Sequence, residues 1–355
     1  MSFKEIFKQK ATINKSANAR VNLIGEHTDY TGGFVLPTLL RFKTTIEIST
    51  NEQNEFQVYS AHFKEKKIFN DFIKSKNNDW VDYVKGCLFV FYDECKHIPN
   101  TPLNIYISSN IPMERGVSSS SALCVGIIKS LNEFFQSQMS NKHIAILAQK
   151  VERDYIGVSG GIMDQMVSSI GIHRKAFFLD CLSLKYQLIN IPKNWKFYLV
   201  DSAVQRNLRD SSYNERYSEL KSAEREMGVE YLGSVKLKNF NEKKISNPLT
   251  LKRAKHVVTE NDRVLKAIEC INNKNISEFG NLMIQSHLSY SNDFEASTKD
   301  VDQIVENSIK AGANGARLTG GGFGGFTVSL IEENKLDKWL TQMTNNYDIN
   351  NMFEV

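Results

Sequence analysis

The chain has no apolar run long enough to cross a bilayer. Its opening residues, Met-Ser-Phe-Lys-Glu-Ile-Phe-Lys-Gln-Lys, lack the apolar core of an export signal. Cysteine is sparse: Cys87, Cys95, Cys124, Cys181 and Cys270 are scattered without a Cys-x-x-Cys pair, which excludes a disulfide frame and a cysteine zinc site. Together these absences predict a cytoplasmic protein with reduced thiols and no membrane partner. Charge of one sign is also missing. The 44 basic and 40 acidic residues interleave to a net +4 with no basic stripe, which argues against nucleic acid. Repeats and low-complexity stretches are absent. What remains is ordinary globular composition, 41% hydrophobic and 24% charged, at a length that suits two domains.

Among what is present, Asn110-Ile-Pro-Met-Glu-Arg-Gly-Val-Ser-Ser-Ser-Ser-Ala-Leu123 stands out. The alternation of Leu103, Ile105 and Ile107 before it predicts a strand, and the apolar spacing of Ala122–Phe135 predicts a buried helix. The serines therefore fall where a loop becomes a helix. Unpaired backbone N–H groups and the positive dipole end favour an anion there, and four hydroxyls add donors and a possible Mg²⁺ ligand. The same run would also serve as an ordinary helix cap.

A second island is Ala19-Arg-Val-Asn-Leu-Ile-Gly-Glu-His-Thr-Asp-Tyr-Thr-Gly-Gly-Phe-Val-Leu-Pro37. Strand-like apolar residues bracket Glu26, His27, Thr28 and Asp29 between Gly25 and Gly32-Gly33, a rigid acidic turn suited to accepting hydrogen bonds from sugar hydroxyls. His27 beside two acids also fits a metal ligand, although no second histidine cluster accompanies it. Further on, Gly160-Gly-Ile-Met-Asp-Gln puts Asp164 in the first turn of a short helix, a place that any carboxylate favours.

The segment Arg20–Pro37 resembles the signature of the galactokinase family, within the superfamily of galacto-, homoserine, mevalonate and phosphomevalonate (GHMP) kinases. The serine loop resembles the second motif of that family, and Leu318-Thr-Gly-Gly-Gly-Phe-Gly-Gly-Phe-Thr327 resembles its third. The order and spacing extend the resemblance from about residue 18 to 331. It implies an α+β, two-domain GHMP-kinase fold. Residues 1–192 would form an amino-terminal α/β domain like ribosomal protein S5 domain 2, and residues 193–355 a ferredoxin-like carboxy-terminal domain, with the active site between them.

The activity implied is transfer of the ATP γ-phosphoryl to the C1 hydroxyl of α-D-galactose, the opening of galactose catabolism, by a monomer whose partners are its small-molecule substrates galactose and ATP. By the same resemblance Asp164 and Arg20 are catalytic: Asp164 orients the C1 hydroxyl and accepts its proton late, and Arg20 neutralises developing phosphoryl charge. Glu26, His27, Thr28, Asp29, Gly161 and Tyr213 would hold the sugar. Ser60, Trp80, Glu114, Arg115, Gly116, Val117, Ser118, Ser119 and Ser120 would hold ATP, with Trp80 beside the adenine. Ser120 and Glu152 would bind Mg²⁺. Plain alternatives stand beside several of these: core packing for Trp80 and Tyr213, a bland strand for Ser60, and a solvated helix-end charge for Glu152.

Two neighbouring activities share the motifs. One is N-acetylgalactosamine kinase, and the other is a non-catalytic regulator that binds galactose and ATP. Intact Arg20, Ser118–Ser121 and Asp164 speak against the regulator. The chain departs from the family at Glu114-Arg115, where small residues are usual. The expectation is an outward Glu114 and an Arg115 free to bind the β- or γ-phosphate. Elsewhere, Thr44–Thr50 and Glu55–Ser60 read as paired strands, Asn141–Tyr155 as one helix, residues 228–258 as a mobile, lysine-rich insertion, and Asp302, Gln303 and Glu306 as a solvated face.

Overall fold

The computed structural model describes residues 1–75, 79–98, 100–113, 115–204 and 209–355. In chain order it begins with α1 (Phe3–Phe7), β1 (Ile13–Asn22), β2 (Phe34–Val35), β3 (Pro37–Thr50), β4 (Phe56–Ser60), β5 (Glu65–Phe69), α2 (Val81–Glu94), β6 (Leu103–Ser109), α3 (Ser119–Phe134), α4 (Asn141–Lys150) and α5 (Met163–Ile170). There follow β7 (Lys175–Asp180), β8 (Lys185–Asn190), β9 (Trp195–Asp201), α6 (Arg209–Met227), α7 (Pro248–Asn272), α8 (Ile276–Asn292), α9 (Lys299–Lys310), β10 (Gly315–Leu318), β11 (Phe326–Glu332), α10 (Leu336–Thr344) and β12 (Met352–Glu354). Among the described residues no helix is long and apolar enough to cross a membrane.

By contacts the chain forms two compact units. The first comprises Met1–Arg20, Leu40–Pro112 and Ser118–Ile170; the second comprises Val21–Leu39, Met113–Val117 and Gly171–Val355. These are divisions in space rather than a cut in the linear chain, because the chain passes between the units several times.

In the first unit the sheet order is β1-β3-β6-β4-β5. β6 runs antiparallel to β3 and parallel to β4, with Ile105 opposite both Ile48 and Val58. That register puts their side chains on one face, which packs with Val84, Leu88, Ile127 and Leu131 of α2 and α3. Each such side chain, removed from water, contributes about 1.5–3 kcal/mol. The expectation that β3 and β4 pair is therefore corrected. β6 lies between them, because α2 supplies the crossover that a parallel β4–β6 pair requires.

The second unit carries the sheet β2-β7-β8 and the antiparallel sheet β10-β11-β9-β12. Helix α8 approaches β10 closely: a Cβ on Gly280 would stand 2.0 Å from the Asn314 carbonyl oxygen. Residues 228–258 are not an insertion standing clear of the unit. Three short 3₁₀ turns carry 232–244, Leu232 and Ile245 are buried, and α7 already starts at Pro248. The Asn247 side chain accepts hydrogen bonds from the N–H groups of Leu249 and Thr250, and Pro248 sits where its missing N–H costs nothing. The lysines of this stretch face solvent while Arg253, His256 and Val257 face inward.

Asp302 also departs from expectation. Its carboxylate accepts hydrogen bonds from Ser291 (3.0 Å) and Ser297 (2.5 Å) and stands 3.2 Å from His287 Nε2. Three polar neighbours from α8 and the turn before α9 thus hold one side of what read as a solvated face.

Candidate active site

In the first unit, β1 delivers Arg20 and the first turn of α5 delivers Asp164. Arg20 Nε donates to Asp164 Oδ1 at 2.7 Å and its terminal nitrogen to Oδ2 at 2.8 Å, a forked, charge-assisted pair. Ser118 Oγ adds a donor to Oδ2 at 2.5 Å. The arginine side chain is 6% exposed and the aspartate 23%, so the carboxylate is held from behind and open in front. Two bonds into α5 brace it: Ser168 Oγ donates to the Asn18 carbonyl, and Lys129 Nζ to the Ser169 carbonyl.

The serine run starts α3 as expected, and Ser118 is its N-cap residue. Ser118 has a left-handed backbone, φ 65°, and its hydroxyl makes no cap bond because it is turned to Asp164. The first-turn N–H groups of α3 are thereby left without a side-chain cap. Ser119 and Ser120 are half-exposed there, and Val117 is buried just before them. Glu114 lies outside the described residues. Arg115 is not free, as expected, to serve a phosphate: its Nε stands 2.9 Å from Asp201 Oδ2, at the end of β9. A buried-side carboxylate on the same unit competes for the guanidinium, which the sequence pattern did not reveal.

Glu152 was expected within one helix over 141–155. Instead α4 ends at Lys150 and a π-helical turn, Val151–Ile156, carries Glu152 inward. Its carboxylate accepts from Ser121 Oγ at 2.7 Å and from Gln165 Nε2. Burial pushes its pKa above the usual carboxylate range, and the charge of Asp164 adds to this. Hydrogen bonds from Ser120, Ser121 and Gln165 pull the other way. No group of three or more His, Cys, Asp or Glu side chains able to hold a metal occurs among the described residues. The donor set at Glu152, one carboxylate and serine hydroxyls, fits a hard cation whose remaining ligands are phosphate oxygens and water. Ser60 and Trp80 of this unit are linked through Phe63. Ser60 Oγ accepts from Phe63 N, the Phe63 ring stacks 5.7 Å from Trp80, and Trp80 Nε1 donates to Glu65. Gly161 lies two residues ahead of α5, half-buried.

The acidic turn belongs to the second unit. Thr28 is fully buried, and its hydroxyl donates to the carbonyls of Gly25 (2.9 Å) and Phe34 (2.6 Å), closing the loop on itself. His27 has a left-handed backbone, φ 61°, and its two ring nitrogens each meet a tyrosine hydroxyl: Tyr30 at 2.9 Å and Tyr290 at 2.8 Å. Burial drives its pKa well below that of free histidine, helped by His256, Arg216 and Arg317. A sugar-binding role through the His27 nitrogens or the Thr28 hydroxyl therefore meets competition from within the loop. Tyr213, on α6, packs its ring 5.5 Å from His27 and 5.7 Å from Tyr30. Asp29 starts a 3₁₀ turn and is half-exposed.

Glu26 is 3% exposed at its side chain. Its Oε1 accepts from Arg317 (3.1 Å), from the Gly320 N–H (2.9 Å), and from the Thr319 hydroxyl (3.1 Å), which also reaches the Asn22 carbonyl. Gly320 makes this approach possible. Its φ is +83°, and a Cβ there would lie 2.6 Å from the Gly116 carbonyl oxygen. The glycine motif, expected to let backbone come close, does so against both Glu26 and the Gly116 backbone. Arg317, Glu260, Gln165 and Asp201 were missed by the sequence reading. A charged residue inside the short apolar strand Gly315–Leu318 was the available signal for Arg317; nothing in the pattern marked Glu260, which pairs with Arg263 one turn on but whose contacts with Gly25 and Glu26 are far away in the chain.

Three family models match the chain: GHMP kinases N terminal domain over residues 82–171, Galactokinase galactose-binding signature over 1–50, and GHMP kinases C terminal over 267–349. A galactokinase of Clostridium acetobutylicum is 37% identical, over 97% of this chain and 92% of that one. A galactokinase of Actinobacillus succinogenes is 34% identical, over 97% of this chain and 93% of that one. The crystal structure of Lactococcus lactis galactokinase complexed with galactose is similar at a TM-score of 0.92 and 30% identity, covering 99% of this chain and 95% of that one.

Proposed function

We propose, because this chain belongs to the galactokinase family, that it moves the γ-phosphoryl group of ATP to the C1 hydroxyl of α-D-galactose, giving galactose 1-phosphate and ADP. The observation that carries the chemistry is the forked Arg20–Asp164 pair with its open face. Phosphoryl transfer passes through a loose transition state, so positioning and charge neutralisation matter more than early proton removal. Asp164 Oδ2 accepts two bonds and Oδ1 one, which leaves a lone pair on Oδ1 for the C1 hydroxyl. As the sugar oxygen bonds to phosphorus and the bond to ADP breaks, the hydroxyl proton passes to Asp164, and Arg20 stabilises the charge that gathers on the phosphoryl oxygens.

We place Gly116 and Val117 and the first turn of α3, Ser118–Ser120, around the ATP phosphates, supported by the uncapped N–H groups there. Ser60 and Trp80, joined through Phe63, would take the base. Glu152 and Ser120 would hold Mg²⁺, which when bound neutralises phosphate charge. Glu26, Asp29, Tyr213 and the Gly161 backbone are assigned to the sugar hydroxyls; Thr28 and His27 are assigned to the shape of the loop. The linear division at 192/193 is kept, supported by family matches on either side of it. Five free cysteines support a reducing, cytoplasmic setting.

The experiment is turnover by the purified chain with ATP, Mg²⁺ and separate hexoses, read as ADP release and product identity. ADP release that depends on galactose is expected. Preference for N-acetylgalactosamine would move the assignment to the sibling activity, and binding of galactose without ADP release would overturn catalysis.

A further inference from the structure

The second unit holds a buried cluster of four charges that the transfer chemistry does not use directly: Glu26, Glu260, Arg263 and Arg317. Glu260, on α7, fixes the backbone of the acidic turn. Its Oε1 accepts from the N–H groups of Gly25 (2.9 Å) and Glu26 (3.4 Å) and from Ser286 Oγ (2.6 Å), while Arg263 Nε donates to Oε2 at 2.7 Å. Arg317, on β10, fixes the side chain. One terminal nitrogen donates to Glu26 Oε1 and reaches the carbonyls of Asn22 and Leu23, at 3.3 and 3.4 Å. The other stands 3.8 Å from Glu260 and, like Nε, has no hydrogen-bond partner among the described residues. The guanidinium thus sits between two carboxylates and balances both.

The bonds to Glu26 are one-sided. Arg317, Thr319 and Gly320 converge on Oε1, and among the described residues no donor reaches Oε2. A carboxylate that is clamped through one oxygen presents the other in a fixed direction as a charged acceptor, which is what a sugar hydroxyl needs.

We propose that Arg317 is a positioning residue for the sugar: it aims the free oxygen of Glu26 and compensates its buried charge, and through Glu26 it sets affinity for galactose without touching phosphoryl transfer. This rests on the reading of Glu26 as a sugar contact. A neutral residue in its place would leave Glu260 paired with Arg263 but Glu26 without its charge partner and with less to fix its direction.

The test compares steady-state constants of the wild-type chain, Arg317→Met, Arg317→Lys, Glu26→Gln and the Arg317→Met/Glu26→Gln double variant. Galactose-dependent turnover by the wild type establishes the underlying reading first; its absence sinks that reading and not only this one. Arg317→Met should raise the apparent KM for galactose by about tenfold or more, with the KM for ATP within twofold and kcat affected less than KM. Arg317→Lys keeps the charge but its single ammonium cannot stand between both carboxylates as the broad guanidinium does, so it should fall between, at a few-fold. In the Glu26→Gln background Arg317→Met should add little, because its target is already gone. An unchanged galactose KM in Arg317→Met overturns the proposal, as does full additivity with Glu26→Gln. If Arg317→Met does not fold, the lysine variant decides: an unaltered galactose KM there marks a structural arginine.

Discussion

Two arginine–carboxylate pairs, one in each compact unit, use the same chemistry at different depth. Arg20 and Asp164 meet in a two-bond fork with the aspartate 23% exposed. Arg317 and Glu26 meet through one oxygen at 0% and 3% exposure, with Glu260 and Arg263 completing a sealed cluster. A half-open pair can release one lone pair to a substrate, because water already screens part of its charge. A sealed set cannot lose a member without leaving an uncompensated charge in a medium that solvates it poorly. On the proposed reading the first pair serves turnover and the second holds the sugar-facing carboxylate in place, and substitutions should separate the two.

The largest effect is expected at the open pair. Asp164→Asn keeps shape and removes the charge, so kcat should fall by about 10² or more while galactose still binds and the melting temperature barely moves. Calorimetric titration alongside kinetics checks both halves; near-wild-type turnover would remove Asp164 from the chemistry. Arg20→Lys should also lower turnover, because a point ammonium cannot reproduce the fork.

The sealed cluster should answer in the opposite sense. Glu260 is fully buried. Burial opposes its charge, but Arg263 and Arg317 outweigh burial and pull its carboxyl far below the usual range. Glu260→Gln should cost about 3 kcal/mol of stability, seen in a denaturant titration, while kcat at saturating substrates stays within a few-fold. Turnover lost without stability would break the comparison.

A pH scan sharpens it further. Burial lowers the pKa of His256 from 6.5 to about 4, against the pull of neighbouring Glu260 and with the help of Arg263 and Arg317. The unfolded chain then takes up a proton before the folded one does. The stability this histidine confers is complete above pH 6.5 and is lost as pH falls toward about 4, by up to about 3 kcal/mol. His27, also depressed, acts with the same sign. Melting temperature should fall through that window and the fall should flatten in His256→Gln; an unaltered slope would show that His256 is not the group responsible.

The smallest effect is expected at Arg115. Its pair with Asp201 is partly exposed, with side chains 30% and 10% accessible, and such pairs are worth roughly 1 kcal/mol or less. Arg115→Ala should change the KM for ATP by less than about threefold, and Asp201→Asn should tighten ATP slightly by releasing the guanidinium. A tenfold loss of ATP affinity in Arg115→Ala would restore the direct phosphate contact that the sequence first implied.

The amino-acid sequence by itself determined the parts whose causes are local. Alternation set β6, Asn247-Pro248 started α7, and the glycines around Glu26–Asp29 and at 320–325 marked where the backbone turns tightly. The three motifs in order were enough for the family, since each is a contiguous stretch. What only the tertiary structure decided depends on partners far apart. Arg317 meets Glu26 across 291 positions, and Gly25 meets Glu260 across 235. The place of β6 between β3 and β4, the π-helical turn that carries Glu152 inward, and the choice of Asp201 by Arg115 are of the same kind. Backbone preference is written into neighbouring residues and can be read from them. The balance of buried charges and the order of strands are settled by which distant groups share the same space, and a linear pattern does not hold that information.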